Sequence, residues 1–282
     1  MKQSKIIGID IGGSTTKIVG YEDDRIFGPF LVRATDPIAS VYGAFGKFLN
    51  ANALKIEDIQ RVMVTGVGAS YIKDRIYSIP TGKVDEFRAI GRGGLFLSNR
   101  DKAIVVSMGT GTACVYADQT DVRHMGGTGI GGGTLLGLSN RMLNVRNFDD
   151  IINTAEGGNL THVDLNIGDI TRDILVGLPP ETTASNFGKI SDLASKADIA
   201  MGIINLVFQT IGMIAVFASK ADRVNQIVLT GTLSSVPQAR AIFDGISRLY
   251  HVDFIIPEDA EYATAAGAAL AYTRGLPFAE IS

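Results

Sequence analysis

The sequence predicts an α/β protein with two interlocked lobes and a cleft between them. An apolar strand, a glycine turn and a second strand occupy residues 6–19, and the same order returns at residues 103–117. A third strand that ends in a glycine turn follows at residues 226–235. Helical patterns separate these units and the connections are short. We therefore expect two lobes, each with a mixed central sheet, divided near residue 100 into segments 1–100 and 101–282.

Composition indicates a globular chain and excludes several classes of function. The 282 residues are 46% hydrophobic and carry a net charge of −3. This length allows two domains, and the basic residues are dispersed, so no nucleic-acid partner is expected. The single cysteine, Cys114, excludes an internal disulfide and an all-cysteine iron–sulfur site within one chain. The N-terminus enters a strand without a signal-peptide pattern, so we expect a cytoplasmic protein.

The elements of the first lobe follow from apolar periodicity and turn residues. Asp36-Pro37 is a helix start signal, because a capping side chain precedes a proline at the first helical position. The predicted elements are, in order, strands on both sides of Gly12-Gly13, a strand near Ile26–Val32, a helix over Ile38–Asn50, a buried strand over Arg61–Thr65, a short strand near Lys83–Val84 and a helix over Asp85–Ser98.

The second lobe repeats the opening of the first. Its strand–turn–strand unit is followed by a glycine run at residues 126–137 that enters a helix, by the strand and turn at 226–235, and by a helix of small residues at 260–272. Because the two hairpins stand in corresponding places, we interpret them as an internal duplication.

An apolar helix is predicted over Ile199–Ala218. Its length would span a bilayer, but Asn205, Gln209 and Thr210 interrupt it and charged residues flank it closely. It also lies between two nucleotide-binding patterns that must share one compartment, so no membrane partner is expected. A helix that is apolar on every side belongs in a core or an interface, and we expect a homodimer that uses this helix.

The first hairpin has the chemistry of a phosphate-binding turn. Its two glycines let backbone N–H groups approach phosphate oxygens without an intervening Cβ. Ser14, Thr15 and Lys17 add donors and positive charge, while Asp10 is expected to hold Mg²⁺ through water. The alternative is a plain glycine hairpin between buried strands, which the glycine clusters downstream disfavour.

Together the glycine turns indicate one nucleotide site in the cleft. The two hairpins would hold the β- and γ-phosphates from opposite lobes, and the run at 126–137 offers N–H groups at a helix N-terminus. Gly231 and Thr232 would lie near the adenosine. No G-x-x-x-x-G-K-[ST] motif occurs, and no Rossmann fingerprint follows the first strand, because Gly12 and Gly13 are adjacent and lead into another strand.

The order of these motifs resembles the superfamily of sugar kinases, heat-shock chaperones and actin, whose fold is a two-lobed actin-like ATPase, a duplicated ribonuclease H-like unit with an interlobe cleft. Within it, the chain resembles the type II, eukaryotic-like pantothenate kinases. The segments that carry this resemblance span nearly the whole chain: GIDIGGSTTK at 8–17, VDEF at 84–87, GTGT at 109–112, GGTGIGGGTLLG at 126–137, ASNFG at 184–188 and AAGA at 265–268. The GGGT run together with SNFG is the most specific combination.

The resemblance implies ATP-dependent phosphorylation of the primary hydroxyl of pantothenate, the first step of coenzyme A biosynthesis, by a dimeric enzyme with ATP and Mg²⁺ as cofactors. It places the catalytic glutamate at Glu86, the phosphate-binding lysine at Lys17 and a substrate-side threonine at Thr110. The full set of residues that we expect to contact ATP is Asp10, Ile11, Gly12, Gly13, Ser14, Thr15, Thr16, Lys17, Thr110, Gly132, Gly133, Thr134, Leu135, Leu136, Phe148, Gly231 and Thr232.

The residues themselves are consistent with Glu86 as a catalytic base. A hydroxyl nucleophile needs a carboxylate within hydrogen-bond reach to accept its proton, a contribution of roughly 10²–10⁴-fold. Many relatives place a base aspartate in the second hairpin where this chain has Ser107, so the carboxylate must come from the first lobe. The alternative is an exposed glutamate beside Asp85 that only favours the helix dipole.

Two positions depart from the family pattern. The family commonly has an arginine where this chain has His124, with Arg123 one residue earlier. Transition-state stabilisation is therefore expected from Arg123 or His124, and the alternative for both is an ordinary exposed turn. A serine that often follows the second hairpin is Ala113 here. These changes bear on the substrate more than on phosphate transfer.

Three other functions stay open. A sugar or amino-sugar kinase of the same superfamily would share the hairpins, although zinc-containing members need a cysteine–histidine cluster that one cysteine and three scattered histidines do not supply. An ATPase activator of 2-hydroxyacyl-CoA dehydratases resembles residues 8–17 closely, but it requires cluster cysteines beyond Cys114. The third is a regulatory ATP-binding protein without catalysis, against which Asp10, Lys17 and Glu86 argue.

Overall fold

The computed structural model describes residues 5–33, 36–173 and 177–281, and its strands form two large mixed sheets and a small one. The strands are β1 (Lys5–Ile11), β2 (Thr15–Glu22), β3 (Arg25–Arg33), β4 (Ile59–Thr65), β5 (Thr81–Lys83), β6 (Lys102–Met108), β7 (Thr112–Asp118), β8 (Val122–Thr128), β9 (Leu165–Asn166), β10 (Thr183–Ser185), β11 (Gln226–Thr230), β12 (Asp253–Ile255) and β13 (Ala279–Ile281). The helices are α1 (Pro37–Ala51), α2 (Glu86–Ser98), α3 (Gly132–Leu143), α4 (Phe148–Thr154), α5 (Ile167–Ile170), α6 (Lys196–Asp222), α7 (Pro237–Tyr250) and α8 (Ala263–Thr273).

The two large sheets repeat one topology. The strand order is β13-β5-β4-β1-β2-β3 in the first sheet and β12-β11-β6-β7-β8 in the second. β1 pairs antiparallel with β2 and parallel with β4, and β6 pairs in the same way with β7 and β11. The predicted duplication of the strand–turn–strand unit and the α/β fold class are thus confirmed.

Most predicted elements of the first lobe are present close to their expected bounds. Asp36 caps α1, because its carboxylate accepts a hydrogen bond from the Ala39 amide at 2.9 Å.

Strand β8 of the second sheet is not predicted by the sequence. Arg123 and His124 lie on this strand and not in an exposed turn, since glycines and polar side chains obscure its apolar alternation.

A crossing of α2 and α8 joins the lobes through close contact between their backbones. A Cβ atom at Gly93 on α2 would overlap the carbonyl of Ala263, and one at Gly267 on α8 would overlap the carbonyl of Ala89. Only glycine fits at these two positions, because a close-packed interior has no room for the extra atom. The predicted helix of small residues at 260–272 is α8, and this crossing explains its composition.

Each crossing helix covers the sheet formed by the other half of the chain. A Cβ at Gly8 of β1 would overlap the backbone of α8 at Ala265, and a Cβ at Gly94 of α2 would overlap the side chain of Val105 on β6. β13 also returns to pair with β5 in the first sheet. We keep residue 100 as the proposed boundary between the strands of the two lobes, while α2, α8 and β13 interlock them.

The predicted apolar helix is α6, and it forms the core of the second lobe. The capping box Ser195–Asp198 begins it, and Phe208 packs edge-on against Phe243 of α7 with ring centroids 5.6 Å apart. Within the described ranges it is the one helix long and apolar enough to cross a membrane. However, 61% of its most apolar window is buried inside the protein, as in the core helix of a folded domain.

Gly93→Ala should destabilise the protein strongly, because the added Cβ overlaps the Ala263 carbonyl and relief requires the lobes to separate. We expect the free energy of unfolding to fall by about 3 kcal/mol, measured by calorimetry. Gly43→Ala is the matched control: Gly43 lies inside α1 with no atom within 4 Å of a Cβ. This variant should gain about 0.5–1 kcal/mol. Similar losses in both variants would contradict the packing argument.

Candidate active site

The carboxyl ends of β1, β4 and β5 meet at one edge of the first sheet. Because these strands are parallel, Asp10 at the end of β1, Gly66 after β4 and Glu86 after β5 lie near one another. Gly66 has a φ of +87°, and a Cβ there would lie 2.5 Å from Oδ1 of Asp10. The strand ends therefore bring the carboxylates of Asp10 and Glu86 to one place.

The position of Glu86 at the start of α2 leaves its carboxylate available for chemistry. The helix is capped by its neighbour Asp85, which accepts a hydrogen bond from the Arg88 amide at 2.9 Å. Burial raises the pKa of Glu86 above its ordinary value, and the negative charges of Asp10 and Asp85 raise it further. A raised pKa makes this carboxylate a stronger base.

The first hairpin presents its tip to solvent and its lysine to the carboxylate. The Gly12 amide closes the turn by donating to the Thr15 carbonyl at 2.9 Å, and Gly13 and Ser14 are exposed. Lys17 lies directly opposite Asp10 in the β1–β2 register and is 5% exposed. Burial raises the pKa of Asp10, and the positive charge of Lys17 opposes this effect.

Two predicted ATP-binding residues of this hairpin point to the core. Ile11 is buried with the residues that pack against α1, and the Thr16 hydroxyl accepts a hydrogen bond from Ser40 Oγ on α1 at 2.6 Å. Alternation along a strand sends neighbouring side chains to opposite faces, so Ile11 and Thr16 can reach a phosphate only through their backbone.

The second hairpin faces the first across the cleft. The Gly109 amide closes it by donating to the Gly111 carbonyl at 2.9 Å. Thr110 at its tip places Oγ1 3.4 Å from Oγ of Ser14. The duplicated turns, separated by almost a hundred residues in the chain, thus meet tip to tip as the sequence predicts.

The glycine run supports the second hairpin from behind. The Gly132 amide donates to the Gly109 carbonyl at 2.8 Å, and the Gly133 amide donates to the Thr110 carbonyl at 2.9 Å. A Cβ at Gly131 would lie 2.7 Å from the Thr110 carbonyl oxygen. The expectation that the amides of this run are free for phosphate is therefore wrong for Gly132 and Gly133, because both amides hold the hairpin. Their contact with ATP stays a prediction.

The other predicted ATP-binding residues of α3 and α4 contact the core of the second lobe or the backbone of the glycine run. Leu135 is fully buried in the second-lobe core, and Leu136 and Phe148 pack against that core. The Thr134 hydroxyl donates to the Gly129 carbonyl at 3.0 Å and accepts from the Gly131 amide at 3.3 Å. The assignment of these four residues to ATP stays a prediction.

The turn at Gly231 has an equivalent in the first lobe, at Gly66. Gly66 and Gly231 both have a φ of +87°, and each is followed by a 3-10 helix. A Cβ at Gly66 would lie 2.6 Å from the Ile11 carbonyl oxygen, and one at Gly231 would lie 2.7 Å from that of Met108. The signal was present in the Thr-Gly pairs that end β4 and β11. Contact of Gly231 and Thr232 with adenosine stays a prediction.

Arg123 and His124 point to opposite faces of the second sheet. His124 stacks on Phe87, the residue after Glu86, with ring centroids 3.9 Å apart. The Arg123 guanidinium donates to Asp222 at the end of α6 at 2.9 Å. The imidazole therefore lies on the side of α2 and the candidate base, whereas the guanidinium lies on the side of α6. Phe87 belongs to the VDEF segment that carries the family resemblance, but its contact with His124 is not predictable from sequence, because an aromatic residue early in a helix is typical of a core position.

The paired lobes with facing hairpins define an actin-like ATPase fold, and comparison with solved structures confirms this class. Component A of the (R)-2-hydroxyglutaryl-CoA dehydratase of Acidaminococcus fermentans gives a TM-score of 0.68 at 19% identity, covering 96% of this chain and 98% of that one. A ROK family glucokinase from Streptomyces griseus, solved in complex with glucose and AMPPNP, gives 0.60 at 14% identity, covering 94% and 98%. At these identities the likeness shows the fold alone.

Sequence comparison is more specific. The family model described as Fumble matches residues 102–241. A type II pantothenate kinase of Bacillus cereus (strain G9842) is 27% identical, covering 96% of this chain and 99% of the relative. Another, of Staphylococcus epidermidis (strain ATCC 12228), is 29% identical, covering 80% and 84%. The resemblance indicated by the motifs is confirmed, and the chain is similar to type II pantothenate kinases along nearly its whole length.

The pKa of Glu86, measured by carbon NMR titration of its carboxyl group, should exceed the ordinary glutamate value of 4.5, because burial and Asp10 both disfavour the charged form. Of the two neighbouring negative charges, that of Asp10 has the larger effect on Glu86. Asp10→Asn removes this charge and should lower the pKa of Glu86. The control Asp101→Asn changes an exposed carboxylate at the far end of α2 and should leave this titration unchanged. An unaltered Glu86 titration in Asp10→Asn would show that the two carboxylates do not interact.

Proposed function

We propose that this protein is a pantothenate kinase that transfers the γ-phosphoryl group of ATP to the primary hydroxyl of pantothenate, giving 4′-phosphopantothenate and ADP. The observation that carries the proposal is the approach of Ser14 and Thr110 across the cleft, 3.4 Å apart, beside the carboxylates of Asp10 and Glu86. Two glycine turns that face each other can enclose a phosphate chain from both sides. The type II pantothenate kinase relatives support the choice of substrate.

Glu86 is the general base of the proposed reaction. Its carboxylate accepts the hydroxyl proton while the pantothenate oxygen bonds to the γ-phosphorus and the bond from that phosphorus to the β–γ bridging oxygen breaks. The raised pKa of Glu86 suits this role, because a base with a higher pKa accepts a proton more readily. Since Asp85 already caps α2, the helix does not require Glu86 for that purpose.

Lys17 and Asp10 act on the charge of the phosphate chain. The Lys17 ammonium group would neutralise phosphate oxygens in the ground state and in the transition state. Asp10 would hold Mg²⁺ through water, and the ion would neutralise further phosphate charge when bound. In the part of the chain that the structure describes, no group of three or more His, Cys, Asp or Glu side chains could hold a metal ion. The single carboxylate of Asp10 fits an ion that takes most of its ligands from phosphate and water.

His124 is the better placed of the two candidates for the missing family arginine. Its ring lies against Phe87, next to the proposed base, and an imidazole can donate a hydrogen bond to a phosphoryl oxygen. The Arg123 guanidinium is engaged with Asp222 on the opposite face of the sheet. Arg123 would have to leave this ion pair and cross the sheet edge to reach the cleft.

The alternative functions are less well supported. A sugar kinase remains the second candidate, because the ROK glucokinase shares the fold. The activator function needs a cluster that cysteines from each subunit bridge, and Cys114 is buried at 1% exposed with its thiol pKa raised by burial to about 11. A thiol in that environment is a poor cluster ligand.

Glu86→Gln should lower kcat for pantothenate by about 10²–10⁴-fold, because the amide keeps the shape and hydrogen bonding but cannot accept the proton. ATP affinity should change little. The measurement is coupled ADP release with pantothenate, N-acetylglucosamine and glucose as parallel substrates. Glu57→Gln, an exposed glutamate of the first lobe, is the control and should behave as wild type. If Glu86→Gln retains half of the wild-type kcat, with chemistry shown to limit the rate, the assignment of Glu86 as the general base is wrong. If the wild-type protein turns over a sugar in preference to pantothenate, the assignment of pantothenate as the substrate is wrong.

His124→Ala should reduce kcat more than Arg123→Ala, because only the imidazole lies beside Phe87 and the base. We expect a loss of at least about tenfold for His124→Ala and less than threefold for Arg123→Ala, in the same assay. Thermal melts control for the ion pair that Arg123→Ala removes. The reverse order of the two kcat values would assign the family arginine's role to Arg123.

We further propose that the protein is a cytoplasmic homodimer formed through α6. Four residues on one side of this helix, at helical spacing, are only partly covered: Leu206, Thr210, Met213 and Phe217. Phe217 is 63% exposed although Val216 and Ala218 beside it are buried. An apolar stripe next to a core is the expected form of an interface between two copies.

Phe217→Asp should convert the dimer to a monomer, because it places a charge in the apolar stripe of both copies. Sedimentation velocity at micromolar concentration measures the change. Ile56→Asp, an exposed apolar position in the first lobe, should remain dimeric. A wild-type protein that sediments as a monomer would refute the proposed assembly.

A further inference from the structure

A second cavity lies on the side of the lobe crossing opposite to the cleft. It has a volume of about 350 Å³ and sits between the C-terminal ends of α2 and α8. Its apolar wall is formed by Leu95, Phe96 and Leu270. The residues of α2 that line the cavity begin at Arg92, about 9 Å along the helix axis from Glu86, and the far end of the cavity is about 20 Å from the proposed base. The cavity is thus separate from the candidate active site.

Three arginines converge on this cavity, and none of them is held in an ion pair within the part of the chain that the structure describes. Arg92, Arg100 and Arg274 line it together with one acidic residue, Asp101, whose carboxylate accepts a hydrogen bond from Gln119 at 3.0 Å. The lining therefore carries an excess of two positive charges.

Arg92 is held with part of its hydrogen-bonding capacity unused. Its Nη1 donates to the Asp118 carbonyl at 2.7 Å, but its buried Nε has no acceptor. The Asp118 carboxylate is occupied by Tyr116 and by the turn that follows. Burial lowers the pKa of Arg92, and the positive charges of Arg88 and Arg274 lower it further, while the negative charges of Asp118 and Asp121 partly oppose this shift. A buried donor without an acceptor costs free energy that a bound anion could offset.

Arginines near helix C-termini also favour the helix dipole, which is a sufficient reason for one of them. It does not account for three that surround a single cavity from α2, from the loop before β6 and from the end of α8. Nor does it account for the apolar wall beside them. A guanidinium cluster next to an apolar surface matches a ligand with two negative charges and a hydrophobic body.

We propose that this cavity, which we call the arginine pocket, binds a small organic dianion, either a phosphate monoester or a dicarboxylate. The negative groups would bridge Arg92 and Arg100 on the α2 side to Arg274 on the α8 side, and the hydrophobic body would lie on Leu95 and Phe96. Because α2 and α8 are the two helices through which the lobes touch, the ligand would link the lobes from behind the cleft. The proposal does not depend on the identity of the kinase substrate.

Titration calorimetry of the full chain with phenyl phosphate and, separately, with phthalate tests the arginine pocket at constant ionic strength. Phenyl phosphate and phthalate distinguish the two sources of negative charge, and inorganic phosphate should bind more weakly than either because it lacks the hydrophobic body. Arg100→Ala and Arg274→Ala should each weaken binding by about tenfold or more. The exposed Arg240→Ala on α7 is the matched control and should bind as wild type does.

The Lys17→Ala variant separates the arginine pocket from the cleft. Binding that persists in Lys17→Ala and is lost in Arg274→Ala supports the proposal. Binding that is lost in Lys17→Ala but kept in Arg274→Ala places the anion among the phosphate hairpins and overturns it. Absence of binding of both probes at millimolar concentration in the wild type also overturns it, whatever the kinase assay shows.

Discussion

The contact between α2 and α8 determines the rest of this structure. Two glycines, Gly93 and Gly267, let the helices touch backbone to backbone, and the helices then cover each other's sheets. The amino ends of the same helices, or the segments just before them, lie at the cleft. A change of one methyl group at the crossing would therefore alter the distance between the phosphate hairpins. In a close-packed interior such a change is not absorbed locally.

Strand alternation then decides which side chains reach the cleft. On β1 the face that carries Ile6 and Gly8 is covered by α8, and Asp10 is the next residue on that face, just beyond the cover. On β6 the corresponding face carries Ala103 and Val105 under α2, and Ser107 follows in the place equivalent to Asp10. The duplicated fold thus holds one carboxylate in the first lobe and a hydroxyl in the second. The second acid comes from Glu86 at the start of α2, where partial burial and Asp10 make its ionisation less favourable.

The sequence was sufficient for the hairpins, the parallel strands and the core helix, because each has a local signal in apolar periodicity or glycine position. It was insufficient where the reason for a residue lies in another part of the chain. The glycine run at 131–133 looks like a phosphate cradle, but two of its amides are bound to the second hairpin. Arg123 and His124 are neighbours in sequence, and only the strand that contains them shows that they diverge. Gly66 forms the same turn after β4 that Gly231 forms after β11. This equivalence is visible only when the two sheets are compared.

The packing of α8 and β13 on the first sheet has a consequence for the order in which the protein can fold. Strands β1 to β5 are made early during synthesis, but residues 263–273 cover one face of their sheet, and β13 (Ala279–Ile281) completes the sheet by pairing with β5. These segments are synthesised long after β1 and β4, so the apolar face of β1 around Ile6 and Gly8 has no native cover until they emerge. A growing chain of this kind depends on temporary protection of that face. Residues 263–281 are therefore as much a part of the first lobe's folding as its own strands.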